Sequence, residues 1–149
     1  MAARVLIDTN VFMYASGGPH RYRDACRRIV AGLMPGRSGI DGATACIDAE
    51  LFQEIAYRYA SIGKPETGHR LQESIRSLGI ELLDIDEPTI DVFVEVQREY
   101  AAQLDRRGDL VRDLLHLSIM IRNRIDTLIS ADTDFDKFEG IRRLDPASI

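Results

Sequence analysis

The sequence lacks long apolar runs and has few cysteines. No run approaches the length of a membrane span, and the short apolar stretch at the start meets a carboxylate at once, at Asp8. We therefore expect no membrane span, no signal peptide and a cytoplasmic protein. Cys26 and Cys46 stand far apart, each among apolar neighbours, which predicts two buried thiols and no disulfide framework.

Several catalytic motifs are also missing. The sequence has no Gly-x-Ser-x-Gly and neither cysteine has a nucleophile setting, which excludes serine and cysteine hydrolases. No Gly-Lys-Ser or Gly-Lys-Thr follows Ser16-Gly17-Gly18, so this segment is predicted to be a turn and not a phosphate loop. The three histidines lack metal-ligand spacing, so zinc is not expected.

Lysine is scarce, since 17 of the 19 basic residues are arginines, and the net charge is −5. An acidic chain is unlike a protein that binds nucleic acid mainly by covering its phosphates. The charge is uneven, however: residues 1–40 carry six arginines and two aspartates. Arg21 and Arg23 are candidates for gripping an RNA backbone, and Arg112 for neutralising a substrate phosphate or pairing with Asp109.

The hydrophobic pattern indicates a single α/β domain spanning residues 1–149, large enough to fold without a metal or disulfide. Short apolar runs predict strands at 4–7, 43–47, 80–84, 127–130 and 141–144. Helical spacing predicts helices between them. Because such alternation gives right-handed crossovers, we expect a three-layer α/β/α sandwich with a central, mostly parallel sheet.

The predicted helices differ in how they end and which face they bury. The first begins near Tyr22 and stops near Pro35-Gly36; two more follow Asp48 and Pro65. A long helix from Pro88 to Arg106-Arg107-Gly108 is expected to turn five residues inward: Ile90, Phe93, Val94, Ala101 and Leu104. The last helix, from about 109 to 124, is expected to carry one apolar stripe: Leu110, Leu114, Leu117 and Ile121.

Acidic residues follow several of these strands. Asp8 comes directly after the first strand, Glu50 lies just after the second, and Asp132 and Asp134 follow the fourth. Asp113 lies one turn into the helix before that fourth strand. Since ligands bind beyond the carboxyl ends of parallel strands, these five acids are predicted to meet at one rim.

Crowded carboxylates repel one another, so either some hold a proton or a cation lies among them. Oxygen ligands suit Mg²⁺ or Mn²⁺, and such an ion can position and acidify a water for attack on a phosphodiester. The pattern therefore predicts phosphate-ester hydrolysis. Each acid also has a structural alternative: Asp8 can cap the next segment, Glu54 rivals Glu50, and His116 is expected to be a hydrogen-bonded interior histidine outside the catalytic set.

Four segments of the chain resemble the PIN-domain ribonucleases, and in size the chain is similar to a stand-alone VapC-type toxin. They are Leu6-Ile7-Asp8-Thr9-Asn10-Val11-Phe12, Asp48-Ala49-Glu50-Leu51, Arg112-Asp113-Leu114-Leu115-His116 and Ser130-Ala131-Asp132-Thr133-Asp134-Phe135. The first and last are the specific ones. In the last, Ser130 stands where the family often has Thr, and either hydroxyl can hold a carboxylate.

The resemblance implies endonucleolytic cleavage of RNA with Mg²⁺ or Mn²⁺ bound by Asp8, Glu50, Asp113 and Asp132. Asp134, Asn10 and Ser130 would support these ligands. It also implies a cognate antitoxin and a homodimer. Two alternatives stay open: an aspartyl-nucleophile phosphatase, although Asn10 stands where an Asp-x-Asp start would place its second aspartate, and a PIN-like module that binds RNA or protein without cutting.

Overall fold

The computed structural model describes residues 3–34, 40, 42–104 and 108–149. Its strands pair in parallel in the order β3-β2-β1-β4-β5. Their bounds are Arg4–Ile7 for β1, Thr44–Asp48 for β2, Glu81–Leu83 for β3, Thr127–Ile129 for β4 and Arg142–Leu144 for β5. Every predicted strand is present, which confirms the expected α/β class.

Helices connect these strands and cover both faces of the sheet. They are α1 Thr9–Ser16, α2 Arg23–Gly32, α3 Glu50–Ser61, α4 Pro65–Ser77, α5 Glu87–Glu99, α6 Ala101–Leu104 and α7 Leu110–Arg122, with 3₁₀ turns at Thr133–Lys137 and Pro146–Ser148. No helix in the described ranges is both long and apolar enough to cross a lipid bilayer.

Strand β1 shows how the sheet divides two hydrophobic cores. Val5 and Ile7 pack in the core beneath α1 to α4, whereas Leu6 packs in the core beneath α5 and α7. Successive side chains of a strand point to opposite faces, so a sheet buried on both sides requires an unbroken apolar run. The three-layer α/β/α sandwich is therefore confirmed.

The thiols are buried as predicted. Cys26 and Cys46 are both free, and burial raises the pKa of Cys26 to about 11 and that of Cys46 to about 12. Helix α4 packs closely on α3 at Gly68, where an added Cβ would lie 2.7 Å from the Cβ of Tyr59. Glycine at this position thus allows the two helices to approach.

Helix α1 is not predicted by the sequence pattern. Asp8 caps its start, and Val11, Phe12 and Ala15 are buried. The helix has only eight residues, which is too short for an apolar stripe to be recognised. The predicted helix ends at Pro35-Gly36 and Arg106-Arg107 lie outside the described residues.

The predicted inward face of the helix after Pro88 is partly wrong. Ile90 and Val94 are 44% and 48% exposed, and Ala101 is exposed as well. The buried residues are instead Thr89, Val96 and Tyr100. The Asp86 carboxylate accepts hydrogen bonds from the backbone N–H and the hydroxyl of Thr89, which lets this polar residue turn inward and rotates the apolar positions outward.

Two further details of these helices differ from the prediction. The continuous helix expected from residue 88 to 104 divides at Tyr100 into α5 and α6. On α7, Leu110, Leu114 and Leu117 are buried as predicted, but Ile121 is 46% exposed.

Candidate active site

Asp8 lies where β1 meets α1, and three donors hold its carboxylate. Its Oδ1 accepts from the backbone N–H of Thr9 at 2.8 Å. Its Oδ2 accepts from the Ser130 hydroxyl at 2.6 Å and from the Asn10 amide at 3.1 Å. The parallel pairing of Ile7 with Ile129 brings the ends of β1 and β4 together, which explains why residues so distant in sequence meet here.

Ser130 connects Asp8 to the acids that follow β4. Its hydroxyl oxygen accepts from the backbone N–H of Asp132 at 3.0 Å, and the Asn10 amide also donates to it at 3.0 Å. The Asp132 carboxylate in turn accepts from the backbone N–H of Asp134 at 2.9 Å. These bonds fix the turn after β4. They also give Asn10 and Ser130 the hydrogen bonds to Asp8 that supporting residues would make.

An inner group of ligand atoms consists of Asp8, Glu54 and His116, whose atoms lie within 4.8 Å of one another. Glu54 projects from α3 and His116 from α7. The Glu54 carboxylate contacts His116 Nε2 and accepts from the Thr9 hydroxyl at 3.2 Å. Nδ1 of His116 lies 2.5 Å from the carboxylate of Asp48, at the end of β2.

Both ring nitrogens of His116 therefore face carboxylates. Burial alone would lower the pKa of His116, but the charges and hydrogen bonds of Asp48 and Glu54 raise it well above its ordinary value. An imidazolium can donate from both nitrogens at once, whereas neutral imidazole cannot. The two carboxylates thus favour the imidazolium form of His116, which has no lone pair free to bind a metal.

An outer group consists of Asp113, Asp132 and Asp134, again within 4.8 Å of one another. All three side chains are half-buried. They line a cleft of about 510 Å³ together with Glu54, Tyr57 and Arg112. We call this cavity the acidic cleft.

Two carboxylates of the site have raised pKa values. Burial, followed by the charges of Asp132 and Asp8, raises the pKa of Asp113 to about 7. Burial raises the pKa of Asp8 to about 6. A bound cation would stabilise the ionised form of these carboxylates, and hard divalent ions prefer oxygen donors. The residues present therefore fit a hard divalent cation.

Three of the predicted site acids, Asp113, Asp132 and Asp134, form the outer group. Asp8 belongs to the inner group and is close enough for its charge to raise the pKa of Asp113. Glu50 lies outside both groups of ligand atoms, one turn before Glu54 on the same helix, and burial raises its pKa. Because Glu54 shares the inner group with Asp8, geometry favours Glu54 as the second acid of the site.

The three arginines predicted to contact RNA lie in different parts of the structure. Arg112 lines the acidic cleft, with its guanidinium 4.7 Å from the centre of the Tyr57 ring. Arg21 contacts the ring of Tyr22 at 4.8 Å and does not line this cleft, and neither does Arg23. Their role in binding RNA stays a prediction.

Sequence reasoning leaves His116 outside the catalytic set and names Asp48 only as the residue that a helix follows. His116 is indeed a hydrogen-bonded interior histidine, as expected, but its partners are site carboxylates. One signal is present in the sequence: Asp113 and His116 are three residues apart, so they share a helix face. The contact with Asp48, 68 residues away, depends on tertiary packing.

Comparison with known proteins gives the family. The PIN domain model matches residues 5–141. The chain belongs to the PIN-domain family. Over 140 residues it is 30% identical to the VapC ribonuclease Mb1869c of Mycobacterium bovis and to ribonuclease VapC13 of Mycobacterium tuberculosis, which covers 94% of this chain and 98% of each relative.

A solved structure shares the fold of this PIN domain. VapBC2 from Rickettsia felis, bound to a DNA fragment from its promoter, superposes with a TM-score of 0.66 at 19% identity, covering 95% of this chain and 97% of the other. At that identity the likeness concerns the fold. Together, fold and family agree with the resemblance carried by the motif at Asp8 and the motif at Asp132.

Proposed function

We propose that this PIN-domain protein is a metal-dependent endoribonuclease and the toxin of a VapC-type toxin–antitoxin pair. The observation that carries the proposal is that Asp113 of α7 lies beside Asp132, after β4, and within reach of the charge of Asp8, after β1, with the pKa of both Asp113 and Asp8 raised. The relatives named as VapC ribonucleases support the choice of RNA as substrate.

Mg²⁺ or Mn²⁺ would be held by Asp8, Asp113 and Asp132, with Glu54 as the fourth acid and Asp134 supporting. When bound, such an ion neutralises a phosphate and makes a water more acidic for attack on phosphorus. Glu54 is preferred to the neighbouring Glu50 because it contacts the His116 ring and the Thr9 hydroxyl beside Asp8.

The chain's own residues prepare this site in two ways. Asn10, Ser130 and the Thr9 backbone fix the orientation of Asp8, so no reorganisation is required when substrate arrives. Arg112, at the wall of the acidic cleft, is placed to attract a backbone phosphate, and its stacking on Tyr57 keeps the guanidinium near the acids.

The partners belong to the same proposal. A cognate antitoxin would silence the enzyme, and we expect a homodimer, as the family resemblance implies. The domain would comprise the whole of residues 1–149. Co-purification with the product of an adjacent reading frame, and its effect on cleavage, would test the antitoxin.

A circular RNA provides the test of the proposed function, since only an endonuclease can open it. Purified protein with Mn²⁺ should convert the circle to linear RNA, and EDTA should prevent this. Asp8→Asn should leave the circle intact while keeping the circular dichroism spectrum of the wild type. An intact circle with wild type and Mn²⁺, or equal cleavage by Asp8→Asn, would contradict the proposal.

A further inference from the structure

A second cavity is lined in part by Asn10, which also supports Asp8. Its volume is about 540 Å³, within the range of pockets that hold small molecules. It is lined by the ends of α1 and α3 and the start of α4, including Asn10, Tyr14, Arg58, Tyr59, Ile62 and Lys64. We call it the cationic cavity.

Its charge contrasts with that of the whole chain. The sequence has 24 acidic residues, yet the described residues lining this cavity include two cations and no acid. Some described cations are paired with acids, as Arg70 is with Glu66 and Arg143 with Asp136. Within the described ranges, Arg58 and Lys64 form no ion pair, so both remain available for an anion.

Tyr14 gives the cavity a rigid aromatic wall. Its ring stacks on His20 with centroids 4.1 Å apart and planes 9° from parallel. His20 is itself fixed, because its Nδ1 accepts from the backbone N–H of Tyr22 at 3.2 Å. The ring of Tyr22 packs against both of the others. Preorganised aromatic rings of this kind stack on nucleobases without regard to base identity.

Asn10 joins the cavity to the active site. It lines the cavity, and its amide donates to Asp8 at 3.1 Å. On α3, Arg58 in the cationic cavity directly follows Tyr57 in the acidic cleft. A strand with a phosphate over the acids would therefore reach this cavity with a neighbouring nucleotide.

We propose that the cationic cavity binds one nucleotide of the RNA strand next to the scissile phosphate, with its base against Tyr14 and its phosphate near Arg58 and Lys64. The proposal rests on the proposed ribonuclease function. Two unpaired cations alone would equally suit an acidic peptide. The rigid aromatic wall and the link through Asn10 to the acids favour a nucleotide.

Direct binding tests this without requiring cleavage. A short, fluorescent single-stranded RNA is titrated with Asp8→Asn protein at low salt, and anisotropy gives the dissociation constant. Adding Arg58→Gln and Lys64→Gln should weaken binding about tenfold and make its salt dependence shallower, because two phosphate contacts are lost. The matched control carries Arg28→Gln and Arg142→Gln, two exposed cations outside the cavity, and should bind within about twofold of the parent.

The aromatic wall is tested separately. In the same background, Tyr14→Leu should weaken binding about tenfold, whereas Tyr14→Phe keeps the ring and should bind like the parent. Thermal melting of each variant checks its fold. If Tyr14→Leu fails to fold, the charge variants and Tyr14→Phe still decide the matter.

Equal RNA binding by the cavity variants and the control would overturn the proposal. So would loss of binding to an acidic peptide from the antitoxin with RNA binding unchanged, since the cavity would then serve a protein partner. Cleavage of the same RNA by the wild-type protein tests the proposed function separately. If that RNA stays intact while the cavity variants lose affinity, the ribonuclease function is overturned and the nucleotide site is supported.

Discussion

The inner and outer groups of acids differ in what balances their charge. In the inner group, His116 lies between Asp48 and Glu54 and supplies a buried cation. In the outer group, no described basic residue forms an ion pair with Asp113 or Asp132, and Lys137 contacts Asp134 only at the surface. Asp8 connects the two groups, because it belongs to the inner group beside His116 and its charge raises the pKa of Asp113 in the outer group.

This difference indicates where an external cation belongs. A buried carboxylate needs a compensating charge, and the inner group already has one. In the outer group, which is open to a cleft, no described cation forms an ion pair with Asp113. The histidine between two carboxylates thus holds Glu54 in position, and the outer group is where a metal ion would be bound.

The largest expected effect comes from removing an outer acid. Asp113→Asn should reduce RNA cleavage on the order of 10³-fold, because one charge that stabilises the reaction is lost. Initial rates on a fluorogenic RNA measure this. Asp91→Asn, an exposed acid of α5, is the control and should keep wild-type rates. A loss below about threefold for Asp113→Asn would place the chemistry elsewhere.

Two glutamates one turn apart on α3 give a matched test of the inner group. Glu54→Gln should lower cleavage roughly 10- to 100-fold, because its carboxylate shares the inner group with Asp8. Glu50→Gln, one turn away, should change it less than about threefold. Rates with both variants at saturating Mn²⁺ check this. The reverse order would make Glu50 the second acid.

Removing the buried cation should cost stability. His116→Gln leaves Asp48 and Glu54 without a positive partner, so the free energy of unfolding should fall by about 3 kcal/mol. In a domain of this size that corresponds to roughly 6 to 12 °C in Tm. Urea unfolding and thermal melting measure the change.

The control for this prediction adds a second substitution. Asp48→Asn in the His116→Gln protein removes one of the stranded charges and should recover part of the lost stability. An unchanged Tm in His116→Gln would mean that the inner group does not depend on an imidazolium.

The smallest expected effect is a pH dependence of the metal-free protein. The pKa of Asp8 is raised to about 6 and that of Asp113 to about 7, so the folded state keeps protons that the unfolded chain releases near pH 4. Unfolding free energy should therefore fall as pH rises from about 4 to about 7. The raised pKa of His116 acts in the same direction above about pH 6.5.

The Asp113→Asn variant isolates the contribution of Asp113 to this fall in unfolding free energy with pH. The variant should lose stability less steeply over the same interval, because it has no carboxyl to ionise at that position. Thermal melting in EDTA at several pH values gives both curves. Identical slopes for wild type and variant would contradict the raised pKa of Asp113.

The sequence predicts the outer half of this site better than the inner half. Asp8 and Asp132 follow apolar strands, and parallel strands end at one edge, so their meeting follows from local pattern and topology. Glu54 and His116 lie on different helices, and their contact depends on how α3 and α7 rotate against the sheet. The orientation of α7 is also why Ile121, apolar at helical spacing, is exposed.

Local pattern is also insufficient where a segment is short. Helix α1 has only eight residues, yet it brings Asn10 and Tyr14 from the Asp8 turn toward the cationic cavity. The cavity itself combines α1, α3 and α4, so its content of two cations and no acid among the described residues is visible only in three dimensions.

Anomalous scattering from a crystal of the protein grown with Mn²⁺ tests the central claim most directly. The account predicts manganese density against carboxylate oxygens of Asp8, Asp113 and Asp132, with His116 still bonded to Asp48 and Glu54. Density against a ring nitrogen of His116, or none near these acids at millimolar Mn²⁺, would contradict it.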